Sequence, residues 1–355
     1  MRRLLTGCFV SLLLLLNTLV LIGPLMVFAL LKLVAPGRFR DYASWAVMWI
    51  AETWAEIDKL IFALCIPTQW DIRGGEDLRG DTSYLVISNH QSWVDIPALI
   101  QTLNRRTPFF KFFLKKELIW VPFLGLAWWA LDYPFMKRYT KAFVAKHPEL
   151  AGQDLKITQE ACELFKRQPV TVVNYLEGTR FTQAKRKQQD SPYERLLKPK
   201  AGGVAFVLAA MGEQLDAVLD VTVVYPQEKI PGFWDLICGA VPKVIVDIRT
   251  RELDPALWQG DYENDPAFRQ TVQNWVNQLW REKDQRIQEL LKRTFKVGRG
   301  VKPYRFKTEV QACEFMLLRK AFRNCSALLA KNGSPRSSKA ERKFAAGCDI
   351  SPPVA

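Results

Sequence analysis

The sequence predicts an α/β protein: a mixed, largely parallel sheet flanked by helices, with membrane-embedded and interfacial helices at the amino end. Three observations carry this. Apolar, β-rich runs at 84–88, 170–176, 218–225 and 243–248 are separated by longer helical or mixed stretches. The first three runs each lead into residues suited to chemistry, namely Asn89-His90, Glu177-Gly178-Thr179-Arg180 and Tyr225-Pro226. Open α/β sheets bind ligands at the carboxyl ends of their strands, so these are the expected site-forming turns. Finally, no charged residue occurs between Leu4 and Leu31. The expected organisation is a membrane segment and amphipathic helix over 1–67, a catalytic domain over 68–300, and a helical extension with a disordered tail over 301–355. After about residue 331 that tail is small, polar and proline-containing.

The uncharged segment is 28 residues long, and at about 1.5 Å each it exceeds a hydrocarbon core of roughly 30 Å. A cleaved signal peptide has a shorter apolar stretch, about 7 to 15 residues, and a small-residue cleavage site. Gly23-Pro24 allows either a tilted span or two halves that dip in and return. Arg2 and Arg3 before it, against Lys32, Arg38 and Arg40 after it, lean only weakly towards a cytoplasmic distal end. Over 45–65, Glu52, Glu56 and Lys59 oppose Val47, Ile50, Trp54, Ile57, Ile61 and Leu64 at helical spacing. With Trp45, Trp49 and Trp54 this reads as a helix at headgroup level, the alternative being a helix docked on the soluble domain.

A formal charge of +14 suits a polyanion, an anionic membrane surface or a phosphorylated substrate. The seven cysteines are scattered without a C-x-x-C pair, which supports neither a disulfide framework nor a zinc ribbon. With only His90 and His147 present, a histidine-rich metal centre is excluded, and no metal is expected. His147, in "AKHPEL", has no visible partner. There is no G-x-G-x-x-G, P-loop or G-x-S-x-G elbow.

The stretch "SNHQSWVDIP" at 88–97 follows the first apolar run. Ser92-x-x-Asp95 fits a capping box, which places a helix start near Ser92 and His90 on the connecting turn. A carboxylate in a first helical turn is favoured by the helix dipole and can hold one imidazole nitrogen, leaving the other as a base. Such a pair can deprotonate a hydroxyl. At "EGTR", 177–180, glycine permits close backbone approach, threonine offers a hydroxyl, and arginine can fork two hydrogen bonds onto phosphate. A strand-to-loop turn with a solvated arginine is the plainer reading of four residues taken alone. Lys185-Arg186-Lys187 reads as a solvated loop with anionic headgroups as a secondary contact. Trp120, Trp128 and Trp129 suit either an acyl groove or a buried helix.

Together, Asn89-His90-x-Ser92-x-x-Asp95 and Glu177-Gly178-Thr179-Arg180 about ninety residues later resemble the glycerolipid acyltransferase family. The first motif alone would arise by chance in about one chain in a thousand of this length. The stretch "FLKKELIWVPFLGLAWWALDYPFMKR" resembles the family's second block through Lys116-Glu117-Leu118, Pro122, Gly125 and Phe135-Met136-Lys137-Arg138. The run ending at Pro226 resembles the fourth block only faintly. Leu176 stands where many members have proline and Lys137 where many bacterial members have aspartate, features closer to the lysocardiolipin acyltransferase-like branch. The resemblance implies His90 as general base, Asp95 as its orienting partner, and a substrate-binding set of Glu177, Gly178, Thr179, Arg180, Arg138 and Lys116.

By that resemblance the protein transfers a fatty acyl chain from a thioester donor to a lysophospholipid hydroxyl, with 1-acyl-sn-glycerol-3-phosphate giving phosphatidic acid as the leading reaction. The donor, acyl-CoA or acyl carrier protein, is a co-substrate, and no cofactor is expected. Direct attack on a thioester needs no enzyme nucleophile, which agrees with the missing serine elbow. The expected partners are membrane lipids, the acceptor and the donor; the expected place is a bacterial inner membrane with the catalytic domain facing the cytoplasm. Two other classes remain open. A nucleic-acid binder would use the charge but leave the apolar segment unexplained and shows no binding module; a catalytically silent membrane scaffold would use the same fold without its chemistry.

Overall fold

A computed structural model describes residues 1–136, 162, 163, 165, 168–227, 229–262 and 264–297, with side chains to 294. Arg138, Lys137, His147 and the whole of 301–355 lie outside the described residues.

The chain opens with one uninterrupted helix, α1 (Arg2–Val34), which runs through Pro24. Of the two arrangements that Gly23-Pro24 left open, a single helix forms and the pair of halves does not. Proline removes one hydrogen bond, and the intact turns on either side carry the helix past it. Gly7, Val10, Asn17, Leu25, Ala29 and Lys32 form its buried stripe, while Leu5, Phe9, Leu12, Leu19 and Val27 are exposed. α2 (Gly37–Cys65) folds back along it. Asn17 Nδ2 donates to Asp58 Oδ1 at 2.8 Å and to the Trp54 carbonyl at 3.0 Å, and Trp54 Nε1 donates to Thr18 Oγ1 at 3.1 Å. These polar pairs fix the register of two helices whose apolar residues could slide.

Six strands form the main sheet in the order β1-β8-β7-β2-β6-β3. They are β1 (Gln69–Arg73), β2 (Tyr84–Ser88), β3 (Phe110–Phe112), β6 (Thr171–Tyr175), β7 (Ala217–Val224) and β8 (Lys243–Arg251); β4 (Leu114–Lys115) and β5 (Phe135–Met136) pair separately. All neighbours are parallel except β7 and β8, so the sheet is mixed and largely parallel, as expected. β2, β6 and β7 carry apolar residues on both faces, the mark of a covered parallel sheet. Val86, Val173, Leu219 and Val221 face the side of α1, α2 and α3 (Asp95–Leu103). Leu85, Ile87, Val172 and Val218 face the side of α6 (Gly202–Met211) and α8 (Pro266–Val297). Between these helices and the earlier elements lie α4 (Leu124–Ala130), α5 (Gln183–Gln188) and, before β8, α7 (Phe233–Ile237).

α2 docks on this body. Asn104, at the end of α3, donates to Glu56 Oε2 at 3.0 Å and to the Glu52 carbonyl at 3.1 Å. Phe39, Tyr42, Trp45 and Trp49 stay exposed, so the helix is docked along one side and apolar on another. Both ends of α1 also reach the body. Gly7 lies so close to Cys238 and Trp234 that a methyl there would meet Cys238 Sγ at 2.5 Å. Lys32 Nζ donates to the Ala130 carbonyl at 3.1 Å and to Asp132 at 2.5 Å.

On the other face α8 is pinned by charge. Lys283, fully buried, donates to Asp220 Oδ1, to the Val221 carbonyl at 2.7 Å and to Thr222 Oγ1 at 3.2 Å. Asp220 also takes Arg251 at 2.9 Å, and Arg286 grips Asp247 with two bonds of 2.9 and 2.5 Å. A buried ammonium is tolerated only when its donors are met, and here three polar partners meet them.

Candidate active site

Register brings the three motif-bearing turns together. Ser88 pairs with Tyr175 on one side and Val221 on the other, so His90 and Glu177 leave the sheet side by side while β7 continues three residues further. Asn89 closes the gap that this leaves. Its Nδ2 donates to the Val223 carbonyl and its Oδ1 accepts from the Val223 amide, both at 2.9 Å. The side chain thus extends the ladder after the backbone has turned away, satisfying groups that would otherwise be buried unpaired.

The turn then places His90 Nδ1 at 2.7 Å from Asp95 Oδ2. That same oxygen accepts the Gln91 amide at 2.7 Å and the Ser92 amide at 2.9 Å. The helix starts at Asp95, three residues later than expected, and half of the capping box forms. The carboxylate reaches back as expected, but Ser92 Oγ accepts from the Val94 amide at 3.0 Å and donates to the Pro231 carbonyl. Asp95 is fully buried and accepts on Oδ1 from the Tyr225 hydroxyl at 2.5 Å. His90 retains 17% side-chain exposure, and among the described residues its Nε2 has no hydrogen-bond partner. The imidazole lies flat on Tyr175, with centroids 4.1 Å apart and planes 18° apart, and Tyr175 lies on Phe112 at 5.9 Å. A carboxylate holding Nδ1–H, with an aromatic slab behind the ring, leaves Nε2 as the available base.

Of the residues expected to bind substrate, Glu177 does something else. It is fully buried, its Oε1 accepting the His90 amide and its Oε2 the Leu197 amide, each at 3.1 Å. Burial pushes its acid up to about 8 against the pull of those two donors. Facing inward, it ties the base-bearing turn to the loop at 197. Gly178 takes a φ of +65°, which glycine adopts without strain, and so turns the chain outward. The turn then ties back to the base, since the Phe181 amide donates to the His90 carbonyl at 2.8 Å. Thr179 Oγ1 accepts from Lys185 Nζ at 2.7 Å, and Lys185 also holds the Arg180 carbonyl at 3.0 Å. Lys185 is thus a brace of the turn, and Arg186, donating to the Tyr193 carbonyl at 2.6 Å, is another. Arg180 itself is exposed, with its guanidinium carbon 4.5 Å above the centre of the Trp93 ring.

Lys116 opens a short 3-10 turn, Lys116–Trp120, and is exposed. Trp120 and Trp129, with Phe123 and Leu126, are exposed apolar residues on this turn and α4. Among the described residues no group of three or more His, Cys, Asp or Glu side chains could hold a metal. Sequence reasoning missed Tyr175, Tyr225 and Trp93 as parts of the site. Tyr225-Pro226 stood out only as a strand end, and nothing in the order of residues reveals which ring will lie under His90.

Residues 69–226 match the Acyltransferase family. The chain is 27% identical over 296 residues, 79% of its length and 70% of the relative's, to lysocardiolipin acyltransferase 1 of Danio rerio. It is 24% identical to the 1-acyl-sn-glycerol-3-phosphate acyltransferase gamma of Mus musculus, over 51% of this chain and 46% of that one. Among solved structures, the 1-acyl-sn-glycerophosphate acyltransferase of Thermotoga maritima is similar over 79% of this chain and 98% of that one, at 20% identity and a TM-score of 0.46.

Proposed function

We propose that the chain is a glycerolipid O-acyltransferase acting on lysophospholipids, a reading that its match to the Acyltransferase family and its lysophospholipid acyltransferase relatives support, with a mechanism built on His90 as general base. The observation that carries it is the 2.7 Å contact between Nδ1 and a buried Asp95, with Nε2 left without a partner among the described residues. Nε2 takes the proton from the acceptor hydroxyl as its oxygen attacks the thioester carbonyl. The tetrahedral intermediate collapses, the C–S bond breaks, and the proton passes from the imidazolium to the leaving thiolate. Asp95 stabilises the imidazolium in between. Arg180, held over Trp93 at the mouth of the turn, binds the acceptor phosphate with its forked donors. We take 1-acyl-sn-glycerol-3-phosphate as the first acceptor to test, and acyl-CoA and acyl carrier protein as alternative donors.

The apolar face of α1 is read as the membrane contact. Gly7 and Lys32 both touch the body, and about 25 residues of helix between them span roughly 38 Å, more than a hydrocarbon core. A crossing helix would oblige one body to reach both faces of the bilayer. Lying along the body within one leaflet, α1 keeps the site on the side where the thioester donors are, the cytoplasm.

The test is purified protein in detergent offered a panel of lysophospholipids, lysocardiolipin included, with each donor. Transfer to a phosphate-bearing acceptor by the wild type, and its loss in His90→Ala with the fold retained, is the expected result. Near-wild-type turnover by His90→Ala would overturn the mechanism.

A further inference from the structure

We propose that Tyr225 is a positioning residue for the base: its hydroxyl holds the second oxygen of Asp95 and thereby fixes the carboxylate that orients His90. This rests on the reading of His90 as base. Asp95 Oδ2 is shared by His90 Nδ1, the Gln91 amide and the Ser92 amide, whereas Oδ1 has Tyr225 as its described partner, at 2.5 Å. Without that hydroxyl, Oδ1 would be a fully buried carboxylate oxygen lacking any described donor. A carboxylate in that position gains by rotating, and rotation takes the imidazole with it.

Tyr225 is built to stay where it is. It is 1% exposed and packs in the same apolar cluster as Val94 and Val223. It follows directly on β7, two residues after the Asn89 clamp at Val223, and the proline after it keeps its backbone extended. It also remains a donor, because burial and the adjacent Asp95 hold its phenol far above the usual range. Tyr175 provides the contrast. It too lies against His90, yet among the described residues its buried hydroxyl has no partner, so it contributes a ring to the site while Tyr225 contributes a hydrogen bond.

The electrostatic consequence has a definite sign. The Tyr225 O–H draws charge away from the Asp95 carboxylate. Removing it concentrates that charge, favours the imidazolium and raises the pH at which His90 becomes a base. Tyr225→Phe keeps the ring, so it should lower kcat roughly ten- to hundredfold, the range of one hydrogen bond to a charged group. The acceptor KM should be nearly unchanged, and the acidic limb of the rate profile should move to higher pH. 3-Fluorotyrosine placed at 225 is a stronger donor of almost the same shape and should move the limb to lower pH.

Kinetic profiles for wild type, both 225 variants and His90→Ala would be measured together with thermal transitions. Because the chain has only two histidines, nitrogen-15 spectra in a His147→Gln background report the His90 titration directly. Opposite shifts of the His90 titration in the two variants are the expected outcome; if the phenylalanine variant does not fold, the downward shift with fluorotyrosine stands as the expected result. A folded Tyr225→Phe with unchanged kcat and titration, a change confined to KM, or an unmoved fluorotyrosine profile would overturn the proposal. Activity in His90→Ala would instead overturn the reading of the base, so the two failures are distinguishable.

Discussion

Glu177→Gln is close to isosteric, and it isolates what the buried acid does. The carboxyl group accepts two backbone donors, the His90 amide on one oxygen and the Leu197 amide on the other, each at 3.1 Å. A glutamine has one oxygen to offer, so one of those amides must face an NH2 group. The comparison holds at neutral pH, where burial keeps the acid largely protonated, because a carboxylic hydroxyl oxygen can still accept and an amide nitrogen cannot. One buried unsatisfied donor costs about 1–3 kcal/mol. At roughly 2 °C per kcal/mol for a chain of this size, the thermal midpoint should fall by about 2–6 °C. Activity should fall as well, since whichever amide is orphaned belongs either to the base itself or to the loop packed beside it. Intrinsic tryptophan fluorescence during heating in detergent, alongside initial rates, measures both. A glutamine variant with wild-type midpoint and wild-type kcat would refute the assignment of Glu177 as an internal tie and return it to the substrate-binding set.

Other expectations follow from the same geometry. Arg180→Lys should raise the acceptor KM, and Arg180→Ala should raise it further, with kcat little changed; unaltered acceptor kinetics in both would return Arg180 to a solvated turn. Trp93→Ala should raise the same KM about two- to fivefold, the equivalent of an exposed cation–π contact, and should add nothing in an Arg180→Ala background. Lys111, buried 4.9 Å above the Phe165 ring, has its ammonium pushed down to about 8 by burial. Between about 8 and its ordinary 10.5 the unfolded chain holds a proton that the native state has lost, so stability rises with pH through that window. Lys111→Met should therefore stabilise by an amount on the order of 2–3 kcal/mol below pH 8, offset in part by the attraction between the ammonium and the Phe165 ring, and the advantage should shrink towards pH 10.5; a constant advantage in thermal scans across that range would contradict it. A cysteine introduced at Arg2, with Cys8 replaced by serine, should resist an impermeant thiol reagent in intact cells and react after permeabilisation. External labelling would contradict a helix that lies along the body.

How much of this was legible in the sequence depends on how local each signal is. β2, β6, β7 and β8 were readable because strands covered on both faces are continuous apolar runs. β1, "QWDIR", has no such run and is half-exposed along much of its length, so only its pairing with β8 makes it a strand. The five-residue separation of His90 and Asp95 reported the dyad well, because a turn and the first residue of a helix determine their contact. The inward use of Glu177 was invisible, since it depends on Leu197, twenty residues on, presenting an amide to it. Lys283 gave no signal either: a lysine in a helix is ordinarily solvated, and here its acceptors come from the distant residues 87 and 220–222. The amphipathic character of the helix over 45–65 is plain in its spacing, but which of its faces meets protein is decided by Asn17 and Asn104, which pattern alone does not connect to it.

The placement of β8 and α8 separates what is recognisable in this chain from what can fold. Every residue that marks the family lies before 227, yet β1 has β8 as its neighbour in the sheet, and β8 in turn closes the outer side of β7. The carbonyl of Val221 and the side chain of Asp220, on the strand that presents Tyr225, are held from α8 by Lys283. A polypeptide ending at Pro226 would keep each signature residue and lose the partner of its first strand, the part of one sheet face's cover that α8 supplies and the cation beneath its chemistry. The structural requirements of the site therefore reach some seventy residues beyond the last motif, to positions where no reactive group stands.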